Sequence, residues 1–159
     1  MSIQQGQKAP DFSLFDDDKQ LFKLLDHEGK QNVVLLFFPG AFTSPCTTEL
    51  STVNNDLEAY GGEGTRVVGV STDSPFVLAE FKKVNGFQFT LLSDHNAAVS
   101  SAYGAKYNQD FTPMKLDRIA KRSAFVIDKS GYLQYVEVLE NAGEMPDLER
   151  VKQVVAKLG

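Results

Sequence analysis

The sequence predicts an α/β fold: a central mixed sheet flanked by helices, with a hairpin extension at the amino terminus. Two observations predict it. Short apolar runs rich in Val, Leu, Ile and Phe alternate with segments of helical spacing, as in sheets with helical crossovers. The last two runs, Ser123 to Ile127 and Tyr132 to Leu139, are joined by the turn Asp128-Lys129-Ser130-Gly131. That makes them an antiparallel hairpin and the sheet a mixed one.

The elements follow in order. Phe12 to Leu14 and Leu21 to Leu25 are short strands around the polar turn Asp16-Asp17-Asp18-Lys19. Asn32 to Phe38 is the most apolar stretch and reads as a buried strand. A helix over Ser44 to Tyr60 stops at Gly61-Gly62-Glu63-Gly64. Arg66 to Thr72 is a second buried strand. Ser74 as N-cap and Pro75 in the first helical position open a helix that runs to Asn85-Gly86. Phe89 to Leu92 is a strand and Ala97 to Tyr103 a short helix. Gly104 to Lys121 is irregular and long for a connector, which makes it a candidate functional loop. After the hairpin, Asp147 to Leu158 is a helix with an apolar stripe at Leu148, Val151, Val155 and Leu158.

The 159 residues suit one domain, 1–159, large enough to bury a core without metal or disulfide. One cysteine excludes an internal disulfide and is compatible with a reducing compartment. Met1 to Phe12 has no basic region followed by an apolar stretch, so no secretory signal is expected. No apolar run is long enough to span a bilayer. A cytoplasmic protein is expected. The net charge of -5 argues against nucleic acid as a partner, since phosphate contacts need clustered Lys and Arg.

The cysteine, Cys46, follows the turn Pro39-Gly40-Ala41-Phe42-Thr43-Ser44-Pro45. It therefore lies at the carboxyl edge of the sheet, where sites form in open α/β sheets, and in the first turn of a helix. Unpaired amides and the helix dipole there favour negative charge. Leu50, Val53, Leu57 and Tyr60 make the inward face of this helix, and Cys46 and Glu49 share it near its open end. Thr43 or Ser44 is the N-cap, and the Thr43 hydroxyl is one turn from Cys46. Pro39 shields the sulfur without offering an N–H. The missing feature is a fixed positive charge. Arg122, heading the strand Ser123 to Ile127, is the candidate for it; Glu49 either orients its guanidinium or is a helix-start residue stabilised by the dipole.

Pro39-x-x-x-Thr43-x-x-Cys46 resembles the active-site signature of the peroxiredoxins, thioredoxin-fold peroxidases of the alkyl hydroperoxide reductase and thiol-specific antioxidant type. Phe37-Phe38-Pro39-Gly40-Ala41-Phe42-Thr43 most resembles the peroxiredoxin 5 group, and Cys46-Thr47-Thr48-Glu49-Leu50 the one-cysteine peroxiredoxins. Gly6 to Phe12 and Arg122 to Asp128 are similar to the family's first segment and its arginine-bearing strand. The resemblance implies a thioredoxin-like fold and a thiol-dependent peroxidase acting on hydrogen peroxide and organic hydroperoxides. Cys46 would be oxidised to sulfenic acid, with Thr43 and Arg122 as activators and Pro39 as shield. It implies no metal, haem or flavin, and a homodimer packed tip to tip, with Phe42, Phe76 and Phe111 as contact candidates. One departure matters: with no second cysteine, the sulfenic acid must be reduced by an external thiol, such as a small thiol, glutaredoxin or thioredoxin.

Other features read as structural. His27 and His95 are isolated and make no metal site. A Cys-His hydrolase would need one of them beside the thiol. Gly61 to Gly64 lacks the Lys-Ser/Thr of a phosphate loop, and Asp16 to Asp18 is a turn rather than a calcium loop. Thr43 stands where a Cys-x-x-Cys reductase would have its first cysteine, which disfavours that chemistry. The rival to a peroxidase is a thioredoxin-fold redox sensor or chaperone-like binder. A mere binder has no use for Thr43, Cys46 and Arg122 together, whereas a sensor would share the site and differ in rate and partner.

Overall fold

The computed structural model describes residues 3–109, 111 and 113–158; Met1, Ser2, Asp110, Thr112 and Gly159 lie outside them. Among the described residues, seven strands form one sheet. In chain order they are β1 (Ser13–Asp16), β2 (Leu21–Lys23), β3 (Asn32–Phe37), β4 (Thr65–Ser71), β5 (Thr90–Ser93), β6 (Ser123–Ile127) and β7 (Leu133–Val138). Their spatial order is β2-β1-β5-β4-β3-β6-β7. β4 pairs parallel with both β3 and β5, while β6 is antiparallel to β3 and to β7. This is the mixed sheet that the final hairpin predicts.

Every residue of β3 and of β6 is buried. Strands covered on both faces carry continuous apolar runs rather than alternation. On one face Phe12, Phe22, Leu35, Phe37, Val70, Tyr103 and Phe125 pack together. On the other, Val34, Leu36 and Phe38 meet Leu50 and Val53 of α1 (Ser44–Asn54), Leu78 and Phe81 of α2 (Pro75–Asn85), and Val151 and Val155 of α4 (Leu148–Leu158). The short α3 (Ala98–Ala102) adds Val99 to the first face.

The ends of α2 match the sequence signals. Ser74 Oγ accepts from the Val77 amide at 3.3 Å, and Gly86 closes the helix at φ 68°, a conformation that costs glycine little. The acidic turn is likewise structural. Asp16 Oδ1 accepts from the Asp18 and Gln20 amides, and the buried Asp17 accepts from Leu91 N and pairs with Lys82 at 3.1 Å.

The structure departs from expectation after α1. The helix stops at Asn54, not Tyr60. Asn54 Oδ1 accepts from Gln88 N at 2.7 Å and its Nδ2 donates to the Gly86 carbonyl, so the side chain fastens the helix end to the turn after α2. The backbone leaves helical geometry at Asp56 and resumes as a 3-10 turn, Leu57–Tyr60. Tyr60 still reaches the core. Leu24–His27 is also a 3-10 turn, which shortens β2 at its end. The described residues of the long connector, 104–121, are irregular as expected; its ends are tied by Tyr107 N to Ile119 O and Lys121 N to Ala105 O.

Candidate functional site

The β3–β6 register brings the site together. Phe37 lies opposite Ser123, so Pro39, two residues past Phe37, and Arg122, one before Ser123, emerge at the same edge. The turn from Pro39 then reverses into α1. Phe42 takes φ 65° there, a left-handed conformation that costs a non-glycine residue about 1–2 kcal/mol. Its ring rests 5.1 Å from that of Phe81, and the Ala41 amide donates to Asp73 Oδ2 at 2.8 Å. Thr43 is the N-cap, by its backbone alone: its hydroxyl donates to the Gly40 carbonyl at 2.8 Å rather than accepting from the first turn. No N-cap side chain therefore competes for the first-turn amides around Cys46.

Cys46 and Glu49 are both 1% exposed. Arg122, also 1% exposed, lies across them. Its guanidinium donates to Cys46 Sγ at 3.3 Å and to Glu49 Oε1 at 2.6 Å. The Ala142 carbonyl accepts from Nε at 3.2 Å and from the same terminal nitrogen that faces the sulfur at 2.9 Å. The guanidinium is thus fixed from three directions, with one donor on the thiol.

Electrostatics follow from burial. Desolvation pushes the Glu49 carboxyl up to about 7, although Arg122 pulls the other way. Arg122 is held above its ordinary value: burial works against its charge, but Cys46 and Glu49 outweigh it. Glu49 Oε2 has no hydrogen-bond partner among the described residues. In the unfolded chain Glu49 titrates near 4.5. Between that value and about 7 the folded chain holds a proton that the unfolded chain has released, so stability from this group is lost as pH rises through the folded value. Glu49→Gln should remove that dependence. Urea midpoints at about pH 5 and about pH 8 are expected to shift against the wild type relative to the variant as pH rises; parallel midpoints would show that Glu49 carries no such proton.

Pro39 is buried beside this site in sequence, and Thr43 is exposed with its hydroxyl turned to Gly40. Two contributors are not legible in the sequence. Ala142 acts through a backbone carbonyl, which has no residue signature. Asp73 is an ordinary acidic residue after a strand until the fold sets it against Ala41. His27 is elsewhere, stacked on Phe22 at 4.8 Å with Nδ1 3.0 Å from Gln31 Oε1.

Residues 5–136 match the AhpC/TSA family model. The chain is 36% identical over 144 residues to alkyl hydroperoxide reductase E of Mycobacterium tuberculosis, with 89% of each chain covered. It is 34% identical over 134 residues to peroxiredoxin Bcp of Escherichia coli, covering 84% of this chain and 85% of that one. Its fold is similar to that of a peroxiredoxin-like protein from Aquifex aeolicus, with a TM-score of 0.89 at 27% identity over 100% of this chain and 90% of that one. Against peroxidoxin BcpB from Mycobacterium tuberculosis the TM-score is 0.85 at 25% identity, over 99% of both chains.

Proposed function

The chain belongs to the AhpC/TSA family, and we propose that it is a thiol-dependent peroxidase of the one-cysteine type with Cys46 as its peroxidatic residue. The observation that carries this reading is the guanidinium of Arg122 on Cys46 Sγ, held in place by Glu49 and Ala142. A cation there stabilises both the attacking thiolate and the negative charge that grows on the departing oxygen.

The sulfur attacks one peroxide oxygen and the O–O bond breaks. Sulfur gives up two electrons and keeps that oxygen as sulfenic acid. The other oxygen leaves with the electron pair, takes a proton, and becomes water or an alcohol. Thr43 Oγ, with its own hydrogen directed to Gly40, has lone pairs to accept from a peroxide O–H. Pro39 limits water at the sulfur, and Glu49 orients Arg122. The single cysteine leaves the sulfenic acid to an external thiol: one thiol displaces water to form a mixed disulfide, and a second releases Cys46.

The test is stopped-flow oxidation of the reduced protein by hydrogen peroxide, followed by tyrosine fluorescence, the chain having no tryptophan. A second-order constant far above that of free cysteine supports the reading; a constant like that of free cysteine overturns it.

We further propose a cytoplasmic homodimer. No helix among the described residues is long and apolar enough to cross a membrane, and a lone thiol suits a reducing compartment. Phe42 is 54% and Phe76 69% exposed, large apolar surface at the turn before α1 and the start of α2. A two-fold contact there would bury both copies of each ring. Phe76→Glu is expected to shift the protein from dimer to monomer by sedimentation equilibrium; an unchanged mass would remove this face from the interface.

A further inference from the structure

The turn that leads into Cys46 is tied to the end of β4 by one carboxylate. Asp73 Oδ2 accepts from the Ala41 amide at 2.8 Å and from the Ser71 hydroxyl at 2.7 Å. The Asp73 amide donates back to Ser71 Oγ at 3.2 Å, and the Ser93 hydroxyl donates to the Asp73 carbonyl at 2.6 Å. Asp73 is thereby fixed by two neighbouring strands and reaches across to the loop after a third.

Its grip falls on the residue before Phe42. A left-handed φ at an aromatic residue persists only where the surroundings hold it. The Ala41 hydrogen bond holds this turn on one side and the Phe81 ring on the other. Thr43 and Cys46 follow directly, so the position of the turn sets the position of both. Cys46 is also almost fully covered. A peroxide is small enough to enter a tight pocket. The thiol that reduces the sulfenic acid is larger, and in a chain with one cysteine it comes from outside. One half-reaction needs the turn held, and the other needs it to yield.

We propose that Asp73 is a positioning residue of the peroxide reaction. By gripping the Ala41 amide it holds the Gly40–Thr43 turn in register with Cys46 during peroxide attack, and release of that grip admits the reducing thiol. The proposal rests on Cys46 being the peroxidatic residue. Asp73 touches neither sulfur nor peroxide and acts through Ala41, Phe42 and Thr43.

The experiment measures the two half-reactions separately in the wild type, Asp73→Ala and Asp73→Asn. Oxidation is followed with hydrogen peroxide. Reduction is followed with the coloured aryl thiol nitrothiobenzoate, which displaces water from the sulfenic acid to form a mixed disulfide and loses its colour. Removing a hydrogen bond to a charged acceptor should slow oxidation of Asp73→Ala about tenfold and speed its reaction with the aryl thiol several-fold. Asp73→Asn keeps an acceptor oxygen in the same place and should return both rates toward the wild type. Should Asp73→Ala not fold, Ser71→Ala, which loosens the carboxylate but leaves the Ala41 bond, should show the same opposed shifts at smaller size. Rates that fall together without rescue by asparagine, or that do not change, overturn the role of Asp73 alone. A wild type no faster than free cysteine overturns the peroxidatic assignment and this proposal with it.

Discussion

Cys46→Ser is expected to abolish peroxide turnover while leaving the fold in place. The chain contains one cysteine, so no other thiol can take over the reaction. A serine hydroxyl is not ionised at neutral pH and is a poor nucleophile toward an O–O bond. The pocket should survive the change, because Arg122 stays anchored by Glu49 at 2.6 Å and by the Ala142 carbonyl at 2.9 Å and 3.2 Å. A hydroxyl in place of the thiol can also accept from the guanidinium. Stopped-flow oxidation checks the rate, and urea unfolding checks the fold. Excess peroxide should add two oxygens at residue 46 of the wild type, as sulfinic acid, and none there in the variant. The three methionines also take up oxygen, so peptide mapping is needed to place the mass gain. Retained turnover in Cys46→Ser would remove Cys46 from the reaction.

Arg122→Ala is expected to slow oxidation by about two orders of magnitude or more, on the scale of losing a donor aimed at developing charge. The same substitution should also weaken the fold. Arg122 and Glu49 form an ion pair with side-chain exposures of 1% and 0%. Removing one partner of a buried pair costs up to about 3–5 kcal/mol where the other stays charged; here part of that cost is relieved because burial already favours the protonated Glu49 carboxyl. A slow variant could therefore be merely a damaged one. The double variant Arg122→Ala with Glu49→Gln separates the effects. With no buried charge to strand, stability should recover much of the loss, whereas the rate should stay low, since the sulfur still has no cation. Recovery of both would mean that Arg122 matters for architecture and not for sulfur chemistry. An unchanged rate in the single variant would pass the role to another cation.

Most of this site is legible in the sequence because strong local rules converge on it. An apolar run ending in Pro-Gly, then Thr-Ser-Pro and helical spacing, fixes a strand, a turn and a helix start, and so the surroundings of Cys46. Arg122 is found by position at the head of a strand that the hairpin signal marks. What escapes is geometry that side-chain identity does not encode. Phe42 takes a left-handed backbone where no glycine announces one. The Thr43 hydroxyl donates to the Gly40 carbonyl instead of accepting from a first-turn amide to cap the helix. Ala142 contributes a carbonyl from a loop with no pattern of its own. The end of α1 is overrun for a related reason: Asn54 fits a helix interior poorly, but only the distant turn at Gly86 to Gln88 shows what its side chain does instead.

The separation of the cysteine and its arginine along the chain has a consequence for how the protein is made. Cys46 and Arg122 are 76 residues apart, joined only when β6 docks against β3. Contacts so distant along the chain are closed late, after the entropy of a long loop has been overcome. During synthesis, which proceeds from the amino terminus, β3, the turn and α1 leave the ribosome well before Arg122 exists. In that interval the thiol is an ordinary one, without its cation. On the role proposed for Arg122, reactivity toward peroxide is withheld until the arginine-bearing strand has docked, and the emerging chain is spared the oxidation that the finished one invites.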